Sequence, residues 1–134
     1  MAAIERLFAA QAEATARAAR AGVPILAGSD SGNPALFHGP ALIHELEVLV
    51  ARAGLTPLDA LAAATSRGAD RLGQRDLGRI APGAVADLVV LSADPGADIG
   101  ALRAVVAVYL GGLPLDREAL LDSSPGRWIP GRND

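Results

Sequence analysis

The chain contains no cysteine and no lysine, and each absence removes a class of chemistry. Without cysteine, disulfides, thiolate nucleophiles and cysteine-ligated zinc sites are excluded. All 12 basic residues are arginine, so these residues hold no P-loop lysine, Schiff-base lysine or carbamylated lysine. Any chemistry must therefore come from carboxylates, hydroxyls, arginines and the two histidines.

The chain also has few aromatic residues and no long apolar run. Aromatics make up 3% of the residues against an apolar fraction of 51%, which predicts a folded domain with a core of small side chains. The net charge is −3 and the arginines are scattered, so a nucleic-acid partner is not expected. The apolar run of residues 104–110 is too short to cross a bilayer, and the N-terminus carries early mixed charge unlike a secretory signal. These features predict a cytoplasmic protein with no membrane partner.

One carboxylate stands at the most informative position of the chain. Residues 2–20 have a helical pattern, Gly22 is a stop signal, and residues 22–28 have the composition of a short buried strand. Asp30 follows directly, in a loop of glycine, serine, asparagine and proline over residues 29–39. In an α/β barrel the carboxyl end of a strand is where chemistry is done, so Asp30 is a candidate catalytic residue.

Start and stop signals of three helices follow this loop. A helix is predicted over residues 40–53, with Pro40 in its first turn and Gly54 just beyond its end. A second helix, over residues 57–65, starts from the Thr56 N-cap and has Asp59 in its first turn. A short third helix is predicted to end near residue 72.

The pattern changes near residue 77. Strands are predicted at residues 77–80, 87–91 and 105–110, and Gly111 and Gly112 suit a hairpin turn that returns through residues 113–115. Asp87 and Asp94 flank the middle strand as turn and cap residues. The predicted organisation is an α/β part at 1–75, a β part at 76–115, and a C-terminal helix with a loose tail at 116–134.

The motifs, in order along the chain, resemble one enzyme family. They are VPILAGSDSG at 23–32, FHGP at 37–40, ELEVLVARAGLTPLDALAAAT at 45–65 and LGRIAPGAVADLVVL at 77–91. Each is weak alone, but together they resemble the C-terminal part of metal-dependent amidohydrolases over roughly residues 3–115. The closest similarity is to the imidazolonepropionase-like and dipeptidase-like branch.

The resemblance implies a fold and a chemistry. The fold would be the last part of a (β/α)8 TIM-type barrel followed by a small β piece of a composite β-sandwich. The activity would be metal-dependent hydrolysis of C–N bonds other than peptide bonds in a small amide-type substrate. Asp30 would match the family aspartate that touches the metal and relays a proton. The implied cofactor is a divalent metal, zinc by preference, in the intact enzyme and none in this chain alone.

The chain departs from the family pattern in one respect. The family builds its metal site on a His-x-His pair and further His or Lys residues, whereas this chain has only His38 and His44 and no His-x-His. The chain is therefore expected to be a truncation, a gene fragment or a degenerate descendant that needs missing residues for activity. The alternative is a non-catalytic remnant or module that forms a homo-oligomer through unpaired strand edges.

Each candidate residue has a plainer alternative. Asp30 is either the proton-relaying metal ligand or a cap on a loop amide. His38 and Ser31 are expected to contact substrate, or else to be ordinary loop residues bonded to backbone. His44 is expected to be a solvent-facing helix residue, because Val48 stands where the zinc motif H-E-x-x-H needs its second histidine.

Overall fold

A computed structural model describes residues 2–32 and 38–123 of the 134-residue chain. The first helix, α1, spans Ala2–Arg20 and ends where Gly22 adopts a φ of +78°. Three helices follow: α2 at Pro40–Ala51, α3 at Pro57–Ala64 and α4 at Ser66–Arg71. All agree with the helical pattern of the sequence to within about two residues at each end, which is the usual uncertainty of a helix boundary.

The β part is one small antiparallel sheet. Its strands are β1 at Leu88–Leu91, β2 at Val105–Leu110 and β3 at Leu113–Pro114, in the spatial order β1-β2-β3. The Gly111–Gly112 turn joins β2 to β3 with positive φ at both glycines, as predicted. Helix α5 spans Arg117–Ser123, and the predicted loose tail beyond it lies outside the described residues.

The core joins the two parts. Its buried residues come from α2, from the segment between α2 and α3, from α3, and from a 3-10 helix at Ile99–Arg103 that precedes β2. They are Leu46, Leu49, Ala53, Leu55, Ala60 and Ile99. The mixed α/β class is thus confirmed, whereas the assignment to the end of a barrel and to a β-sandwich stays a prediction.

The predicted strand at residues 77–80 is wrong. These residues form bends, and Asp76 accepts a hydrogen bond from the Val85 backbone across them (2.8 Å). The cause is Gly78, which has a φ of +67° and lies against the backbone of Thr65. A chain that must turn tightly under a helix end has no room to continue as a strand.

The predicted strand at residues 22–28 is extended but does not pair with another strand in the part of the chain that is described. It is held by helices instead, since the Ala27 amide donates to the carbonyl oxygen of Ala63 in α3 (3.1 Å). No helix among the described residues is both long and apolar enough to span a membrane.

Candidate functional site

The extended segment at residues 23–30 has two faces. Ile25 and Ala27 are partly buried and pack against the helical core, and Ser29 continues this face. Leu26 and Asp30 alternate with them and are exposed. Such alternation is the period-two pattern of a strand that is covered on one side. Asp30 is exposed at the end of this segment.

Asp30 itself has an unusual backbone. Its φ is +47°, and among the described residues it is the non-glycine residue with a positive φ. Aspartate tolerates this left-handed conformation better than most residues, but the conformation still costs energy. Something in the local structure must favour it.

Ser29 and Ser31 flank Asp30 and are hydrogen-bonded to each other. The Ser31 hydroxyl donates to Oγ of Ser29 (2.8 Å), and the Ser31 amide approaches the same oxygen at 3.4 Å. Both serines are half-buried, whereas Asp30 between them is exposed. These hydrogen bonds close a small ring that includes the Asp30 backbone, and Asp30 itself is exposed.

A second carboxylate, that of Glu45, interacts electrostatically with Asp30. Glu45, in the second turn of α2, is half-buried, and this desolvation raises the pKa of its carboxyl. The negative charge of Asp30 raises the pKa of Glu45 further, while His44 lowers it. The site thus brings together two acids, one exposed and one partly withdrawn from water.

The other predicted site residues lie nearby in sequence. Ser31 is adjacent to Asp30, and its hydroxyl is engaged with Ser29. His38 is exposed, in the turn that leads into α2 through Gly39, whose φ is +92°. Residues 33–37 between them are not described. The substrate-contact roles of His38 and Ser31 therefore stay predictions.

His44 belongs to a different surface. Its side chain is 73% exposed, as predicted, and its Nδ1 lies 3.6 Å from Oε2 of Glu47. Glu47 accepts a two-pronged pair of hydrogen bonds from Arg103, at 2.9 Å from Nε and 2.8 Å from Nη2. The hydrogen bond from Arg103 is the main reason that the pKa of Glu47 is lowered. These three residues link α2 to the 3-10 helix.

A cavity of about 480 Å³ lies at the other end of the extended segment. Its lining includes Val23, Asp59 and Arg67, but not Asp30. The Arg67 guanidinium is already paired with the Asp59 carboxylate, so the cavity offers no uncompensated charge there. The structure does not place the candidate acid in this cavity.

A metal centre needs more donors than these elements supply. Catalytic zinc is held by three protein ligands. Among the described residues, no group of three or more His, Cys, Asp or Glu side chains is arranged to hold a metal ion. Asp30 and Glu45 offer oxygen donors, but these residues alone do not fit a complete site, and the metal role of Asp30 stays a prediction.

Sequence reasoning missed Glu45, whereas Ser29, like Ser31, was expected to hydrogen-bond Asp30 or the substrate. The position of Glu45 relative to Asp30 depends on how α2 leaves the loop, so the local sequence pattern carries no signal for it. Ser29 carries a weak signal, since a serine two residues before another in a Gly-rich turn is suited to local hydroxyl bonding.

Comparison with known proteins identifies the family. The model of the amidohydrolase family matches residues 1–115. An imidazolonepropionase from Anaeromyxobacter sp. (strain K) is 47% identical over 75 residues, which are 55% of this chain and 17% of that protein. An imidazolonepropionase from Salinispora tropica is 31% identical over 105 residues, which are 78% of this chain and 24% of that protein.

The fold agrees with the sequence match. The solved structure of molinate hydrolase superposes with a TM-score of 0.77 and 27% identity, covering 91% of this chain and 30% of that one. The chain thus spans less than a third of the length of these relatives. The resemblance predicted from the motifs is confirmed: the chain belongs to the amidohydrolase family and is imidazolonepropionase-like.

Proposed function

We propose that the chain supplies the general-base carboxylate, Asp30, of a hydrolase that acts on C–N bonds other than peptide bonds in small amide-type substrates. The observation that carries the proposal is the placement of Asp30. It ends an extended segment at an exposed position, and its charge raises the pKa of the half-buried Glu45 in α2.

The chemistry follows from the properties of a carboxylate. Asp30 accepts a proton from a water molecule as the water oxygen attacks the carbonyl carbon. The C–N bond then breaks, and Asp30 returns the proton to the departing nitrogen, so that an acid and an amine are released. The exposure of Asp30 supports the base role, because its carboxylate is accessible to a water molecule.

The cofactor is the second element of the proposal. The amidohydrolase family generally uses divalent metals, which supply an activated water and polarise the carbonyl. The described residues provide carboxylates but not a full ligand set. We infer that the metal, zinc by preference, has further ligands that lie outside these residues, as expected for the last part of a barrel. The cytoplasmic location stays a prediction.

A segment exchange tests this function. We expect residues 1–115, placed in the imidazolonepropionase of Anaeromyxobacter sp. (strain K) in exchange for the matching segment, to give an active hydrolase. Asp30→Asn in that hybrid removes the proton acceptor without changing the shape, so kcat should fall by about 100-fold or more, the usual range for a general base. Asp76→Asn in the same hybrid, at an exposed position in the turn after α4, is the matched control and should leave kcat unchanged.

A hybrid that folds and binds metal but has no activity would contradict the proposal, as would full activity of its Asp30→Asn form. Folding is followed by far-UV circular dichroism and metal content by elemental analysis, so an inactive hybrid is not confused with an unfolded one.

A second candidate function is a non-catalytic assembling module. Several large apolar side chains of the sheet are well exposed, including Val89 (58%) and Val106 (61%). The outer edge of β1 is also unpaired among the described residues. Both features favour association with another chain, and they suit an incomplete barrel equally well.

A further inference from the structure

A groove lies between the N-terminal half of α1 and the outer face of α2. Near its C-terminal end α1 packs against the core, where Ala16 is buried and Ala19 contacts the hydrophobic cluster. Further towards the N-terminus, the two helices enclose a cavity of about 420 Å³, a volume in the range of small-molecule sites. Its apolar lining consists of Phe8, Ala9, Ala12, Val48 and Ala51.

The charged residues that line this groove differ in whether they are paired. Glu5 lies on the α1 side and has no ion pair within residues 2–32 and 38–123. On the α2 side, Glu47 is paired with Arg103 and lies close to His44, and Arg52 lines the groove where the helix ends. An apolar groove with an unpaired acid fits an occupant that has an apolar body and a cation next to it.

The last residues of the chain have this chemistry. Residues 124–134 lie outside the described ranges, and their sequence is SPGRWIPGRND. This segment contains Trp128, which is the one tryptophan of the chain, with Arg127 before it and Ile129 after it. The polar and Pro/Gly-rich remainder predicts a loose tail, but a tryptophan can bury roughly 150–250 Å² of surface, and leaving its apolar part in water is unfavourable.

The start of α5 is tied to the part of the fold that holds the groove. Nη1 of Arg117 donates to the carbonyl oxygen of Val105 at 3.2 Å. Val105 lies two positions after Arg103, whose guanidinium donates to the Glu47 carboxylate in the groove lining. The helix that leads into the tail therefore begins next to the link between α2 and β2.

The tail is long enough to return to this link. Helix α5, which ends at Ser123, has seven residues and is about 10 Å long. Trp128 is five positions further along the chain, a stretch that can span up to about 17 Å. Since this reach exceeds the length of α5, the tail can pass back beyond the start of the helix whichever way the helix points.

We propose that the C-terminal tail docks in the α1–α2 groove of its own chain, with Trp128 against Phe8 and Val48 and with the Arg127 guanidinium paired with Glu5. Docking covers the side chain of Phe8, which is 63% exposed in the described structure. It also fastens the end of the chain to its first helix. The proposal does not depend on the catalytic function proposed above.

Fluorescence of the single tryptophan tests the docking in the 134-residue chain. We expect Trp128 to emit at shorter wavelength than in the urea-unfolded chain and to be quenched more slowly by acrylamide. Ala12→Arg and Ala51→Arg each place a long charged side chain in the groove, one from either helix, and should shift the emission to longer wavelength and speed up the quenching. Ala10→Arg, at an exposed position of α1 outside the groove lining, is the matched control and should change neither.

An exchange of charges tests the ion pair. Glu5→Arg and Arg127→Glu each set like charges against one another, so either variant should make Trp128 more accessible to acrylamide. The double variant restores opposite charges and should restore the slow quenching, as expected for two residues that interact directly. Glu5 is exposed, so these variants keep the proposal testable if a groove variant loses its fold by circular dichroism.

Four results would overturn the proposal. Wild-type emission and quenching equal to those of the unfolded chain would show that the tail is not docked. Protection of Trp128 that persists in both folded groove variants would place the tryptophan elsewhere. A double charge variant that stays as accessible as the single ones would exclude the pairing of Arg127 with Glu5. Protection that is lost on dilution, in step with dissociation measured by light scattering, would show that the groove holds the tail of a second copy.

Discussion

At the scale of single residues, the start of α3 is the best-defined polar cluster. Thr56 is the N-cap, and its Oγ1 accepts from the Asp59 amide at 3.1 Å while donating to the Asp59 carboxylate at 2.7 Å. Arg67 pairs with the same carboxylate from α4. The hydroxyl of Thr56 is the main cause of the lowered pKa of Asp59, and Arg67 is the second. Thr56 therefore both caps the N-terminus of α3 and lowers the pKa of Asp59.

Removal of this hydroxyl should weaken the fold in a pH-dependent way. We expect Thr56→Ala to lower the free energy of unfolding by about 1 kcal/mol at neutral pH, the usual cost of a lost N-cap. Because the pKa of Asp59 is lower in the folded state, its contribution is complete above its unfolded pKa and is lost as pH falls through the folded pKa. The deficit of Thr56→Ala should therefore shrink in acid.

Urea unfolding followed by circular dichroism at neutral and acidic pH measures both effects. Thr56→Ser keeps the hydroxyl and is the matched control, with a small change expected at either pH. An equal deficit at both pH values would show that the Thr56–Asp59 side-chain bond contributes nothing of its own.

At the scale of elements, the tightest approach is between a turn and a helix. Gly78 lies beneath the junction of α3 and α4, where a Cβ would come within 2.6 Å of the Thr65 carbonyl carbon. Real Cβ atoms do not approach backbone so closely, so the loop after α4 follows this path only because residue 78 has no side chain. The sequence pattern of a strand was overridden here by the space available.

Replacement of this glycine should be costly for two separable reasons. We expect Gly78→Ala to lower the free energy of unfolding by more than about 2 kcal/mol, from left-handed strain and from the clash with Thr65. Gly83→Ala is the matched control, because Gly83 has a φ of +83° but no described atom within 4 Å of the added Cβ. It should show the strain alone, about 1 kcal/mol.

Thermal and urea unfolding of both variants provide the comparison. Equal destabilisation would mean that the approach to Thr65 relaxes at no cost, and the argument from space would fail.

Helices whose ends are marked by capping residues, proline or glycine were predictable, whereas elements that lack a clear sequence pattern were not. Pro40, Gly54, Thr56 and Pro57 mark helix ends through their own backbone chemistry, and α2 and α3 lie close to their predicted bounds. The 3-10 helix has an N-cap, Asp98, but at five residues it is too short to show a periodic pattern, yet it buries Ile99 in the core. The proximity of Glu45 to Asp30 was equally hidden, since it depends on how two elements pack.

At the scale of the whole molecule, much apolar surface remains uncovered. In α1 the side chains of Ile4, Leu7 and Phe8 are each 59% exposed or more, although the helix has Ala16 buried on its other side. The sheet has exposed valines as well. Exposed apolar side chains that are grouped on one element are typical of a binding face.

We therefore expect the purified chain to form a dimer or a larger assembly through β1. Multi-angle light scattering after size-exclusion chromatography measures its mass. Val89→Lys places a charge in the outer strand and should shift the protein towards monomer, because an edge lysine opposes strand pairing. Leu72→Lys, at an 80% exposed position after α4, is the matched control and should leave the assembly intact.

A wild-type chain that elutes as a folded monomer at high micromolar concentration would contradict this expectation. An assembly that both variants leave unchanged would place the contact away from β1.

The link between Glu47 and Arg103 spans 56 positions of sequence and joins the helices to the segment before β2. Ile99, on the same 3-10 helix, completes the hydrophobic cluster of Leu46 and Leu49. The change of pattern near residue 77 therefore separates two kinds of sequence pattern, but the two parts share one hydrophobic cluster. A shortened chain that ends before the 3-10 helix would expose the inner surface of α2 to water. The helical part is therefore not expected to fold stably without the segment that leads into β2.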